Sequence, residues 1–205
     1  MWDIFISAFA MLFVVVDPLG IAPIFVGLTA GGTAAYRRRM AIRGIAIATV
    51  VLVFFTLLGK PFLAAMGISL AALKVAGGVM LFVLALEMVF ERRSGRREST
   101  AERVSEEHSS DISVFPLAVP LLAGPGAITS VILLAGQAGG STGGVAGVLM
   151  ALGAVLLLSL AIFLAAERLV SLMGATVASV LSRVLGIVLA ALAAQFALAG
   201  IRDFF

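Results

Sequence analysis

The chain has 205 residues, 62% of them hydrophobic, and a mean hydropathy of +1.20. A soluble domain is roughly 45–50% apolar, so a folded core cannot hide this much apolar surface from water, and the composition requires a bilayer. The net charge of +3 and pI near 10.2 do not argue for nucleic acid, because the basic residues sit at the ends of apolar segments, and the lack of cysteine excludes disulfide and thiolate chemistry.

A helix that crosses the hydrocarbon core needs about 20 mostly apolar residues. Six such stretches are predicted, at 3–29, 40–64, 67–90, 112–136, 145–168 and 178–201. They account for nearly the whole chain, which reads as one transmembrane domain over 1–205. In the first stretch Ala8-Phe9-Ala10 resembles a cleavage site, but no basic region precedes it and the apolar run continues. Residues 3–29 are therefore expected to form a span rather than a signal peptide.

Asp17-Pro18-Leu19-Gly20 interrupts that first span, and Pro23 follows. Proline removes a backbone donor and clashes with the preceding turn. The freed backbone groups cannot face lipid. A carboxylate at the bilayer centre costs about 2.5–3.5 kcal/mol on insertion scales and marks a functional position by default. Two roles for Asp17 can coexist: capping the half-helix after Pro18, or contacting a substrate ammonium or a coupling ion, H+ or Na+.

Arg37, Arg38, Arg39 and Arg43 follow the first span, and Lys60 ends the second. The third span carries Lys74, expected to snorkel, and Gly77-Gly78, expected to permit close helix packing. Its Glu87 either snorkels, pairs with Arg92 or Arg93, or lines a pathway. Residues 91–111 alternate basic and acidic clusters and read as a solvated connector between the halves. Pro116, Pro120 and Gly124-Pro125-Gly126 break the fourth span, and Thr129 and Ser130 follow with hydroxyls. Gly139 to Gly144 reads as an external turn. Glu167 and Arg168 mark an interface, and Gln195 lies inside the sixth span near the position that repeats Glu87.

The chain repeats itself. Pro18 and Pro125 are 107 residues apart, and the same offset carries Met66-Gly67 onto Met173-Gly174. An offset of 109 carries Lys74-Val75 onto Arg183-Val184 and Gly77 onto Gly186. Helix breakers at matching places in two halves point to a transporter site at mid-membrane. Of the 14 Lys and Arg residues, only Lys60, Lys74 and Arg202 fall on one side of the predicted spans. Positive residues mark the cytoplasmic side, which places both termini outside and gives the halves, about 1–90 and 112–205, opposite topologies. The predicted class is an all-α membrane protein: two inverted three-helix repeats with spans 1 and 4 broken at Pro/Gly motifs.

Each break leaves half-helix ends inside the protein. An N-terminal end carries free N–H groups and about half a positive charge, and suits a carboxylate. Carbonyls at the opposite end suit a cation. Asp17, Pro18, Leu19, Gly20 and Ile21 with Gly124, Pro125, Gly126, Thr129 and Ser130 are therefore the candidate substrate site. The glycines are expected to let substrate approach the backbone. Asp17, Glu87 and Gln195 are the candidate coupling or pathway residues.

Asp17-Pro18-Leu19-Gly20 with Pro23-Ile24-Phe25, and Pro116 to Ile128 (PLAVPLLAGPGAI), resemble the first- and fourth-span signatures of the MarC family, which includes the SnatA-type small neutral amino acid transporters. The resemblance covers the whole chain. It implies a bacterial or archaeal inner-membrane protein that carries glycine, alanine, serine or threonine. One departure is Ile21, where the family often has asparagine, so specificity here is expected to differ if that amide contacts substrate. The alternative on the same breaks is a lipid-carrier translocase or a passive channel. An intramembrane enzyme is not expected: His108 is the one histidine, no nucleophile–base pair or metal-ligand cluster is apparent, and no Gly-x-x-x-x-Gly-Lys-Ser/Thr nucleotide loop occurs. A homo-oligomer is compatible with the sequence.

Overall fold

The computed structural model describes residues 2–90, 111–139 and 142–205, without the side chains of 173–176 and 178. The predicted connector thus lies outside the described residues, apart from Asp111. Every described element is a helix, as expected where lipid leaves backbone groups no other partner. In order these are α1 (Trp2–Val16), α2 (Pro18–Leu28), α3 (Ala34–Ala65), α4 (Leu70–Val89), α5 (Ser113–Leu122), α6 (Pro125–Gln137), α7 (Thr142–Leu164) and α8 (Ala166–Arg202). Five stretches are long and apolar enough to cross a bilayer: Trp2–Leu28 taken together, α3, α4, α7 and Ser179–Arg202. The pair α5 and α6 becomes a sixth if it is counted as one span; its halves meet at 55°.

Three boundaries differ from expectation. Thr33 caps α3 by accepting from the Tyr36 N–H at 3.2 Å, so the arginines at 37–43 lie on helix rather than in a loop. The turn after α6 is short, and Thr142, Gly143 and Gly144 already belong to α7. Residues 169–177, predicted as a loop, are helical, and the chain turns instead at Ala165. The stretch holds no Pro, and its one glycine, Gly174, is tolerated inside a helix at about 1 kcal/mol against alanine.

Glycines set the helix contacts. A Cβ on Gly44 of α3 would lie 2.5 Å from the Leu117 side chain of α5, and one on Gly59 would lie 2.5 Å from Ile132 of α6. A Cβ on Gly136 of α6 would meet Leu70 of α4 at 2.8 Å. The chain from α5 to α6 therefore leads from the start of α3 to its far end. Between α4 and α8 the contact is nearly backbone to backbone. A Cβ on Gly78 would lie 2.7 Å from the Ala197 nitrogen, one on Gly186 3.1 Å from the Ala85 carbonyl, and one on Gly200 2.8 Å from the Val75 nitrogen. These pairs run in opposite senses along the two helices, so α4 and the last part of α8 are antiparallel. Bilayer helices associate through such close approach, because lipid supplies no hydrophobic drive between them.

Ion pairs divide by end. Arg37 meets Glu167 at 2.8 Å and Arg43 meets Asp111 at 2.9 Å. Lys74 pairs with Asp203 where α4 begins and α8 ends, a more definite role than snorkelling alone. At the first end Asp111 also accepts from the Ser113 hydroxyl, and from its N–H at 3.0 Å. The two bonds to Ser113 hold the Asp111 carboxyl below the usual carboxylate range against desolvation, and the Arg43 and Arg39 charges add to that lowering.

Gly78→Ala is expected to destabilise the protein by about 1–3 kcal/mol, the usual effect of overpacking. Gly153→Ala, where nothing lies within 4 Å of the added carbon, is expected to be neutral; thermal melts in detergent compare the two. Asp111 has its pKa lowered by folding. Its contribution is therefore full above the ordinary value of 3.8 and is lost as pH falls through the folded value. Melts of Asp111→Asn and the parent chain should differ at pH 7 and converge in strong acid.

Candidate functional site

The interruption between α1 and α2 is one residue long. Asp17 has φ 55° and ψ 60°, the left-handed region that Asp and Asn enter more readily than most residues. Pro18 follows at the first position of α2, where its missing N–H costs nothing. The Asp17 N–H still donates to the Phe13 carbonyl at 2.9 Å, and its own carbonyl accepts from the Ile21 N–H at 3.1 Å. Its carboxylate accepts from the Gly20 N–H at 3.1 Å and is only 2% exposed. Asp17 therefore caps α2, and its charge sits against the positive end of that helix.

Gly20 is needed for this arrangement. A Cβ there would lie 2.2 Å from the Asp17 carboxylate. The space read from the sequence as room for substrate is filled by the protein's own carboxylate.

The second interruption is longer. Phe115 and Val119 leave the helical region, at φ/ψ of −127°/126° and −129°/123°, one residue before Pro116 and Pro120, as proline disfavours the α conformation in its predecessor. The backbone recovers through wide turns: the Leu117 N–H reaches the Ile112 carbonyl at 3.2 Å and the Ala123 N–H reaches Ala118 at 2.8 Å. Gly124 then caps α6 without a side chain, and Pro125 takes the first position. A Cβ on Gly124 would lie 2.5 Å from the Pro120 carbonyl, so this glycine too is demanded by the chain itself. In α6 the first intrahelical bond described is Ile128 N–H to Gly124 carbonyl at 3.0 Å. The N–H groups of Gly126 and Ala127 have no side-chain cap.

The two interruptions lie side by side. A Cβ on Gly126 would be 3.4 Å from Val15, two residues before Asp17, and 3.0 Å from Leu84 of α4. Pro18 and Ile21 are buried and Leu19 half-buried; Gly124 and Gly126 are half-buried, while Pro125 is exposed. Thr129 and Ser130 are buried one turn into α6. The Ser130 hydroxyl donates to the Gly126 carbonyl at 2.7 Å, and the Thr129 methyl fills the hollow over Gly77.

Glu87 and Gln195 are not brought together. Gln195 lies level with Gly78 and is exposed, whereas half-buried Glu87 lies level with Gly186. Nine residues of α4 separate those levels, about 13 Å of helix.

Sequence reasoning missed a second cluster, at the arginine-rich end. Phe25 stacks on Phe163 with ring centroids 5.1 Å apart, beneath the Arg37–Glu167 pair. Helical spacing marks both phenylalanines as core, but nothing in one sequence pairs residues so far apart.

A family model for "MarC family integral membrane protein" matches residues 2–205. The chain belongs to the MarC family. The UPF0056 membrane protein of Archaeoglobus fulgidus is 36% identical over 202 residues, which is 97% of this chain and 92% of that one. The UPF0056 membrane protein YvbG of Bacillus subtilis is 33% identical over 100% of this chain and 97% of its own length. The UPF0056 inner membrane protein YhgN of Escherichia coli is 33% identical over 96% of this chain and 95% of its own. No solved structure matches. This MarC protein is therefore an integral, multi-pass membrane protein, and the two signature motifs form the two adjacent interruptions.

Asparagine preserves both the cap and the tolerance of left-handed backbone. Asp17→Asn is expected to leave the melting temperature nearly unchanged, whereas Asp17→Ala loses the cap and strains the backbone, at about 2 kcal/mol together. Thermal melts of the two variants check this.

Proposed function

We propose that this MarC protein is a secondary transporter of small neutral amino acids, of the glycine, alanine, serine and threonine class. It works by alternating access between two inverted three-helix halves in a prokaryotic inner membrane. The observation that carries this reading is the unequal treatment of two neighbouring helix starts. The start of α2 holds its own carboxylate, Asp17. The start of α6 has no side-chain cap. An amino acid zwitterion complements that pair: its ammonium faces Asp17, and its carboxylate accepts from the Gly126 and Ala127 N–H groups. Val15, Leu81 and Leu84 crowd Gly126, which favours a small side chain. Protonation or sodium binding at Asp17 would couple transport to an ion gradient.

The inverted repeat draws support from the contact between α4 and α8. A glycine of each half sits at that contact, Gly78 against Ala197 and Gly186 against Met88. An antiparallel pairing of the last helix of each half is what opposite topologies lead one to expect. The breaks in Trp2–Leu28 and in α5–α6 are then two interrupted spans of opposite direction. The arginine-rich end faces the cytoplasm by the positive-inside rule, which leaves both termini outside.

The test is flux in proteoliposomes of the purified chain. Alanine or glycine should be carried, and Asp17→Asn should cut that flux by about tenfold or more, a loss of about 1.4 kcal/mol of interaction, at an unchanged melting temperature. Headgroup translocation without amino acid flux would replace this reading with a lipid translocase.

A further inference from the structure

We infer that Arg37 and Glu167, backed by the Phe25–Phe163 stack, form the gate that closes the arginine-rich end of the pathway. The inference rests on the transporter reading above and adds the device that controls access to its site.

The contact joins the halves. Arg37 lies in the first turn of α3 and Glu167 in the first turn of α8. The guanidinium forms a fork: Nη1 meets Oε1 at 2.8 Å and Nη2 meets Oε2 at 3.1 Å. Two parallel bonds fix orientation as well as energy. The arginine is itself held, because Nη1 also donates to the Gly32 carbonyl at 3.2 Å. The Tyr36 ring covers Gly32, where an added Cβ would lie 2.6 Å from the ring. This end of the first half is thereby tied to the arginine that reaches across.

Below the fork lies a vestibule of about 240 Å³, lined by Phe25, Val26, Arg37, Arg38, Phe163 and Glu167 among others. The stacked phenylalanines bound it, again with one ring from each half. Both rings are buried, at 1% and 3% exposure. Asp17 lies eight residues before Phe25 along the same chain direction, about 12 Å deeper at helical rise. Opening this end requires the halves to part, and parting breaks the fork and the stack together. An exposed ion pair is worth little, which suits a contact that must break in every cycle. The buried aromatic pair supplies the seal.

The absence of cysteine from the chain permits a direct test. Ala22 is buried, at 1% exposure, one turn deeper than Phe25 and Val26 on the same face of α2. Ala22→Cys in the full chain, in lipid nanodiscs, is exposed to a membrane-impermeant maleimide. Labelling should be slow, and should quicken by about fivefold when Arg37→Gln or Glu167→Gln is added, the shift that loss of one exposed ion pair supports. The double exchange Arg37→Glu with Glu167→Arg should restore slow labelling, which a merely unfolded variant would not. Equal rates in all these proteins overturn the gate, whether or not the parent chain carries alanine. Failure of the parent to carry alanine removes the substrate reading and leaves the labelling comparison intact.

Discussion

A bilayer offers no hydrogen bonds to a peptide backbone, and the centre of this protein is organised by that constraint. Each proline-broken stretch must satisfy its own freed groups or hide them. The first does so with one residue: Asp17 turns left-handed, keeps the backbone bonds on either side, and folds its carboxylate over the Gly20 N–H. The second spreads the problem over ten residues, with wide turns around Pro116 and Pro120. It ends in a glycine cap that contributes no side chain. A carboxylate and a helix start without a side-chain cap thereby become neighbours, and the proposed substrate chemistry follows from that inequality.

The glycines of both motifs are explained first by the chain itself. Gly20 makes room for Asp17 and Gly124 makes room for the Pro120 carbonyl. Further out, Gly44, Gly59, Gly77 and Gly78 let helices approach until side chain meets backbone. Close packing of this kind makes small discrete movements of whole helices easier than local deformation.

Charge is distributed to match. Ion pairs tie α3 to α8 and to Asp111, two residues before α5, at the arginine-rich end, and α4 to the end of α8 at the other. They lie in reach of water, where such pairs are weak and easily exchanged. The buried contacts between helices supply the permanent attachment.

Sequence alone determined that the chain is a membrane protein, the order of its apolar stretches, and the Pro/Gly motifs at which α1 gives way to α2 and α5 to α6, though the structure has five stretches long enough to cross a bilayer, or six if the bent pair is counted as one. It could do so because hydropathy, proline and glycine act locally, and because in lipid the backbone has few alternatives. It also offered Asp17 two compatible roles, capping and chemistry. Only the tertiary structure decided that the cap forms, that Val15 and Gly126 bring the two breaks together, and that Gln195 faces outward, away from the level of Glu87. Only the fold could pair Phe25 with Phe163 and Arg37 with Glu167. Those partners are more than a hundred residues apart, and contact at such separations is set by how helices pack, which no local pattern encodes.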